Sequence, residues 1–359
     1  MSQSNPPISP LFPIESPWKN NANNIWLCST LSLSRNIEKF DFPDKLSLEK
    51  RQQIISLLSK ELLKNGNLKN PRFFQAENIL PIQKEYLVEH FLSDQGFHHM
   101  HEGEGFLIDE SGKFLSVLNL KNHLYLHVLD LSEEIESTWS QLAKIEMELD
   151  QTLNFAFSPK FGFLTSNPAQ CGTALIVHIF LHLPALLYTN RFHEIMENIT
   201  DEGVEYSGIQ GNPAELIGDV VSFRNTHTLG VKEEGILSSM RTLATKLLVE
   251  EKGIRAHLDQ ESESELSNIK DKVSRAYAIL LHSYQIKEIE ALESLSLVKL
   301  GLDLGWIKGV SHADLNHLLF SSRQAHVLSL NPPKTSPETL PHERSEFIHK
   351  SLKGLQLMI

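Results

Sequence analysis

At 359 residues, with 33 basic against 45 acidic side chains and a formal net charge of −12, the chain is long enough for about two domains. Its composition, 41% hydrophobic and 22% charged, is that of an ordinary globular protein able to bury a sizeable core. The acidic balance excludes broad nucleic-acid or anionic-membrane binding, and only ten of the basic residues are arginine, the fork-shaped anion clamp.

Pro6, Pro7, Pro10, Pro13 and Pro17 stand near the start without a basic cluster, which reads as a disordered, proline-rich lead over 1–20 rather than a signal peptide. From Leu46 to about Phe97, pairs such as Ile54/Ile55, Leu57/Leu58 and Leu62/Leu63 recur at helical spacing and predict a helical lobe. Two apolar runs, Phe114–Leu120 and His123–Leu129, flank Lys121-Asn122 and predict a β-hairpin. The period of two sets Leu124, Leu126 and Val128 on one face; His123, Tyr125 and His127 share the other, a more polar face suited to a cleft.

Ser132–Asn154 predicts an amphipathic helix with Leu142, Ile145, Leu149 and Leu153 on one stripe. Phe161–Thr165 predicts a short strand before the loop Ser166–Gly172. Ala174–Leu187 is apolar but interrupted by His178, His182 and Pro184, and is too short for a membrane span; it predicts a buried helix. The glycine-punctuated loop Ser207–Pro213 precedes a predicted strand at Val220–Phe223. Beyond residue 255 the pattern is helical: Asp259–Leu266 is acidic, Ile269, Val273, Ala276 and Leu280 share one stripe, and Ser311 with Asp314 forms a capping box. Pro332, Pro333, Pro337 and Pro341 precede a last helix over His342–Leu355.

No motif read by itself establishes chemistry. His98-His99-Met100-His101 with Glu102 and Glu104 resembles a metal tract, but a site needs about four converging ligands and loop neighbours point apart. No metal site is expected. His178 and His182 have ligand spacing but lack a nearby carboxylate, so they read as satisfied core histidines. Cys171, ahead of the expected helix, lacks an evident base and reads as a buried small side chain. Cys28 and Cys171 form neither a disulfide framework nor a CxxC site, which fits a reducing cytoplasm. Ser207–Gly211 lacks the lysine ending of a P-loop.

Several segments in order nevertheless resemble the ATP:guanido phosphotransferases. Phe161-Gly-Phe-Leu-Thr-Ser-Asn-Pro-Ala-Gln-Cys-Gly-Thr173, with His182-Leu-Pro-Ala-Leu186 after it, is similar to the family's GYLTSCPTNxGTGxRASVxxHLPAL text. Cys28–Asn36 resembles SSRxRxxRN, Asn119-Leu-Lys-Asn-His123 resembles NEEDH, and Ser207–Asn212 resembles RGxxGE. Asn225-Thr-His-Thr-Leu-Gly230 matches NxxxLG, and the tail, including Val298–Gly305, is similar to that of the bacterial protein arginine kinases. The resemblance implies an α+β fold: a phosphagen-kinase-like antiparallel sheet flanked by helices, with a C-terminal all-helical domain. It implies a catalytic-fold domain over 21–255, with a helical lobe at about 45–97 and a sheet-containing lobe at about 98–255. A helical domain over 260–359 is expected to serve dimerisation or partner binding.

In that family Mg-ATP donates its γ-phosphoryl to a guanidinium, and arginines neutralise the phosphates while a carboxylate holds the acceptor. Position by position, the nucleotide-site arginines correspond here to Thr30, Ser32, Tyr125, Ile176 and Ser207. The catalytic glutamate corresponds to Lys121, the substrate-side glutamate to Asn212, and the loop cysteine to Asn167. Retained motif residues are Ser29, Asn119, His123, Ser166, Gly172, Thr173, Gly208, Gly211 and Asn225. Arg224 is the one candidate for compensation, and Arg35 is expected to be structural. The family's phosphoarginine-reading RDxxRA motif is reduced to Arg344-Ser-Glu-Phe-Ile-His349.

The expectation is therefore a protein arginine kinase-like pseudokinase without a nucleotide cofactor, acting as a cytoplasmic, dimeric scaffold or regulatory protein. By resemblance its partners are a small zinc-binding activator protein or Clp-type protease machinery, with no nucleic acid and no membrane. The alternative is an active protein-arginine kinase that uses Mg-ATP through relocated phosphate ligands such as Arg224 and Lys121.

Overall fold

A computed structural model describes residues 12, 14–93, 101–199, 203–258, 263–330 and 338–359. Strand β1 (Trp26–Arg35) is buried along almost its whole length. Ser47 caps α1 (Leu48–Lys64) by accepting from the Lys50 N–H, and Ile54, Leu58 and Leu62 at helical spacing are buried. The helical run expected to reach Phe97 then breaks at Asn65-Gly66 and Pro71. A strand, β2 (Arg72–Gln75), intervenes before α2 (Pro81–Phe91), which starts on a proline. Residues 94–97 of that expected lobe lie outside the described residues.

Strands β3 (Gly105–Ile108), β4 (Phe114–Leu118) and β5 (Leu124–Asp130) form an antiparallel meander in which Phe106 faces Val117 and Val117 faces Tyr125. The expected hairpin is present, with residues 119–123 as its turn. Helix α3 (Ile135–Leu153) buries Leu142, Ile145, Leu149 and Leu153. A minimal hairpin, β6 (Phe157–Ser158) and β7 (Gly162–Phe163), follows.

The segment expected to be a buried helix is instead β8 (Leu175–His182), followed by the short α4 (Pro184–Tyr188). A strand covered on both faces carries apolar residues without alternation, so its text matches a buried helix. Ile176, Val177 and Ile179 are β-branched, and Pro184 suits only a first helical turn. Next come α5 (Phe192–Ile199), β9 (Val204–Gly208), β10 (Val220–Asn225) and α6 (Glu233–Ala256). The tail comprises α7 (Glu263–His282), α8 (Glu288–Asp303), β11 (Ile307–Lys308), α9 (His312–Ser321), α10 (Gln324–Leu330), α11 (Leu340–Ser351) and β12 (Gln356–Leu357). The capping box at Ser311 and Asp314 is formed, and the α7 stripe Ile269, Val273, Ala276, Leu280 is buried. The last helix starts and stops earlier than His342–Leu355, and Pro332, Pro333 and Pro337 lie outside the described residues.

One sheet has the strand order β2-β3-β4-β5-β1-β8-β10-β9, antiparallel along β2-β3-β4-β5-β1. Two compact units are resolved: 1–17, 29–178 and 224–241 in the first, and 18–28, 179–223 and 242–359 in the second. Strands β1, β8 and β10 each contribute to both. In the first unit Phe12 packs edge-on against Phe74. In the second, Trp18 is fully buried and stacks on Phe320 at 3.7 Å, so the proline-rich lead ends in packed structure. No described helix is long and apolar enough to cross a membrane.

Candidate functional site

Of the five positions expected to correspond to nucleotide-site arginines, four lie in the first unit, three of them on β1 and β5. Ser32 and Tyr125 are buried and bonded to one another: the Tyr125 hydroxyl donates to Ser32 Oγ at 2.8 Å. Both meet His127, whose Nδ1 is 2.9 Å from Ser32 Oγ and 3.1 Å from Tyr125 Oη. The other ring nitrogen, Nε2, lies 2.8 Å from the Phe91 carbonyl. A carbonyl only accepts, so Nε2 carries the proton and Nδ1 accepts from the Ser32 hydroxyl, the Tyr125 proton being given to Ser32. The polar face expected to line a cleft is thus covered, with all of β5 buried. Thr30 is buried beside it, and its hydroxyl has no hydrogen-bond partner among the described residues. Hydroxyls donate hydrogen bonds but bring no positive charge. The alternation along β5 sets His127 on the polar face with Tyr125, but no motif marks it as the partner of Tyr125 and Ser32.

The retained residues of the same unit act as stitching. Asn36 Nδ2 donates to Asn122 Oδ1 at 2.8 Å and to the Leu164 carbonyl at 3.0 Å, while its Oδ1 accepts from the His123 N–H. His123 uses both ring nitrogens, accepting from the Ile37 N–H and donating to the Asp41 carbonyl, and burial lowers its pKa. Asn122 Oδ1 also accepts from the Ser166 N–H. Asn119 donates to the Arg51 and Gly103 carbonyls, and Ser29 is buried on β1. Lys121, expected to correspond to the catalytic glutamate, is exposed at the hairpin tip.

Arg35 is structural, as expected. It is 1% exposed, pairs with Glu146 at 2.9 Å, donates to the Ser34 and Thr173 carbonyls, and sits over the Phe163 ring at 3.5 Å. Asn167 is exposed and caps a short turn by accepting from the Ala169 N–H. Cys171 is half-buried, its Sγ 3.5 Å from the Thr165 N–H, and it precedes a strand rather than a helix. Gly172 has φ +104, and a Cβ there would meet the Thr228 carbonyl at 2.2 Å. Thr173 is held by its N–H to the same carbonyl. Asn225 accepts from the Val177 N–H and donates to the Leu175 and His227 carbonyls. Ile176 and Arg224 are half-buried on β8 and β10.

In the second unit, Ser207 and Gly208 end β9, and the Gly208 N–H donates to the Asn212 carbonyl. Gly211, at φ +84, supplies the left-handed residue of that turn, and Asn212 is exposed with its Oδ1 bonded to the Ala214 N–H. This is a tight turn whose residues 207–212 include no arginine or glutamate. His182 is fully buried: Nε2 donates to Ser296 Oγ at 2.7 Å, and Nδ1 faces Arg255. Burial and the Arg255 charge hold its pKa well below the ordinary value. Ser296 passes a hydrogen bond to Asp219, and Glu251 accepts from the N–H groups of Ala185 and Leu186 that open α4. Arg344 is buried against the Ser322 and Ile286 carbonyls.

His98, His99 and Met100 lie outside the described residues; His101 donates its N–H to Glu104. Among the described residues no three His, Cys, Asp or Glu side chains cluster as metal ligands.

Comparison with known proteins places these positions in context. Residues 53–254 match the family model for the ATP:guanido phosphotransferase C-terminal catalytic domain, and residues 266–358 that for the protein-arginine kinase McsB C-terminal domain. The chain is 36% identical over 351 residues to the protein-arginine kinase of Chlamydia pneumoniae, covering 93% of each. It is 30% identical over 329 residues to that of Halothermothrix orenii, covering 92% of this chain and 93% of the relative. Among solved structures, the duplicated taurocyamine kinase of Schistosoma mansoni superposes with a TM-score of 0.59 at 22% identity, over 76% of this chain and 40% of that one. A lombricine kinase superposes with a TM-score of 0.55 at 17% identity, over 72% and 74%.

Proposed function

The chain belongs to the ATP:guanido phosphotransferase family, as a protein-arginine-kinase-like member, and from that premise we propose that it has lost phosphotransfer and acts as a scaffold or regulatory pseudokinase. The observation that carries this reading is the closed bond between Tyr125 and Ser32, at two positions where the family resemblance expects guanidinium groups facing phosphate. Neither Thr30 nor Ile176 nor Ser207 supplies a positive charge, and Lys121 repels the cationic group that a glutamate would hold. One missing transition-state donor typically costs about 2.7–4 kcal/mol, so five missing arginines and two missing carboxylates leave little catalysis even when the losses are not additive.

The residues present do not fit a magnesium nucleotide, whose phosphates need the positive charge that these positions lack. We place the protein in the cytoplasm as a dimer built through its helical tail. Its partner class is a small zinc-binding activator protein or Clp-type protease machinery. Calorimetric and thermal-shift titration with Mg-ATP, beside an active relative, tests the reading. The expected result is no rise in melting temperature at millimolar nucleotide, because only a ligand that binds the native state stabilises it. A saturable rise, together with ATP-dependent phosphoarginine on a protein substrate, overturns it in favour of an active kinase with relocated ligands.

A further inference from the structure

In the second unit, residues 18–24 lead into β1 and are tied by side chains to α6, α8 and α9. Trp18 stacks on Phe320. From α9, Asn316 Nδ2 donates to the Asn21 and Asn23 carbonyls at 2.9 and 2.7 Å. Asn24 accepts from Arg255 Nη1 at 3.0 Å and donates to Asp303 Oδ1 at 2.9 Å. The remaining tie is a lysine. Lys299 of α8, 2% exposed, donates from Nζ to the Asn23 carbonyl at 3.1 Å and to His312 Nδ1 at 3.2 Å. His312 Nε2 lies 3.0 Å from Asp303 Oδ1; a carboxylate only accepts, so the ring proton sits on Nε2 and Nδ1 is left as an acceptor.

Lys299 Nζ therefore meets two acceptors and, among the described residues, no carboxylate within ion-pair distance. Two acceptors match the two N–H groups of a neutral amine. An ammonium has three, and a buried charge without a paired counter-charge. The charged and titratable groups that face the lysine are Asp303 on α8, Arg255 from α6, His312 from α9 and His182 from β8. Lys19, the one charged residue of 18–24, is exposed, and charges on α4, α7, β11 and the turn before β10, which also pack on α8, do not reach it. Burial pushes the Lys299 ammonium down to about 7 from an ordinary 10.5, with Asp303 opposing the shift and Arg255 adding to it. We propose that Lys299 is a proton-operated clasp: neutral, it holds residues 18–24 against α8 and α9; protonated, it releases that segment to water. The released lysine regains its ordinary affinity for a proton. Between about pH 10 and 7, opening thus becomes roughly tenfold easier per unit of falling pH, and it levels off below 7.

The clasp needs neither nucleotide nor partner, so its test is separate from that of the pseudokinase reading. Hydrogen exchange of the full-length protein is followed by mass spectrometry, with protection of the amides of 18–28 taken relative to the intrinsic rate at each pH. Protection is expected to fall roughly tenfold per unit from about pH 9 to 7 and to stay level from about 7 to 6. Lys299→Met, uncharged at every pH, should hold protection high and level. Lys299→Arg, charged throughout, should hold it low and level. Should Lys299→Met fail to fold, the parent profile and Lys299→Arg carry the test. Protection in the parent that does not change with pH, or a slope that persists in either variant, overturns the proposal. So does Lys299→Arg protected as strongly as the parent at its most alkaline point.

Discussion

Tyr125 and Ser32 sit on adjacent strands, two residues apart in register, and the tyrosine hydroxyl closes onto the serine at 2.8 Å. His127 completes the set and anchors it to the last carbonyl of α2. The three side chains satisfy one another, whereas the buried Thr30 hydroxyl beside them has no partner among the described residues.

Removing one hydroxyl from that set should therefore cost little. Tyr125→Phe leaves the Ser32–His127 bond in place, and Ser32→Ala leaves Tyr125 a second partner in His127, so each should lose about 1 kcal/mol. His127→Ala strands the Phe91 carbonyl and opens a cavity, and should cost about 2–4 kcal/mol. Urea denaturation of the three variants checks the order. Equal losses would mean that the histidine is not the anchor.

Arg35 spans an acidic side chain, two carbonyls and an aromatic ring. Glu146→Ala should destabilise by about 3–5 kcal/mol, since it leaves a buried guanidinium without its counter-charge. Arg35→Lys should not restore stability, because an ammonium cannot reproduce the planar fork and the ring stack. Denaturant midpoints of the two variants measure both effects.

Asp219 gives a pH signature. Burial pushes its carboxyl up to about 6 from an ordinary 3.8, against the hydrogen bonds of Ser296 and Tyr188. The folded form then holds its proton more tightly than the unfolded form between those values. Stability from this group rises as the pH falls from about 6 towards 4, by at most about 3 kcal/mol. Asp219→Asn should remove that segment of the curve. Unfolding free energies of parent and variant across pH 4 to 7 supply the comparison, and parallel curves would refute the assignment.

Gly172 stands where the backbone of 228–229 passes directly over it, at a φ that side chains rarely adopt. Gly172→Ala should cost more than about 1–3 kcal/mol, because strain and a backbone clash act together. Thermal unfolding measures the loss. The neighbouring Cys171→Ser, which only alters a half-buried sulfur contact, should change stability far less.

Much of the organisation is legible in the text. The β4–β5 hairpin, the α3 and α7 stripes and the Ser311 cap follow from local periodicity and capping chemistry, which act over a few residues. The β8 strand was not legible as a strand, since burial on both faces erases the alternation that distinguishes it from a buried helix. The short β2 strand was absorbed into a helical run for a related reason: four residues are too few to announce a period.

The sequence alone determined the family, through colinear segments, and the absence of arginine at Thr30, Ser32, Tyr125, Ile176 and Ser207. It could not say what those side chains do instead. That Tyr125 closes onto Ser32 and that His127 anchors both depend on which strands lie side by side. Pairing between segments some 95 residues apart is fixed by the packing of the whole sheet, which no local pattern encodes.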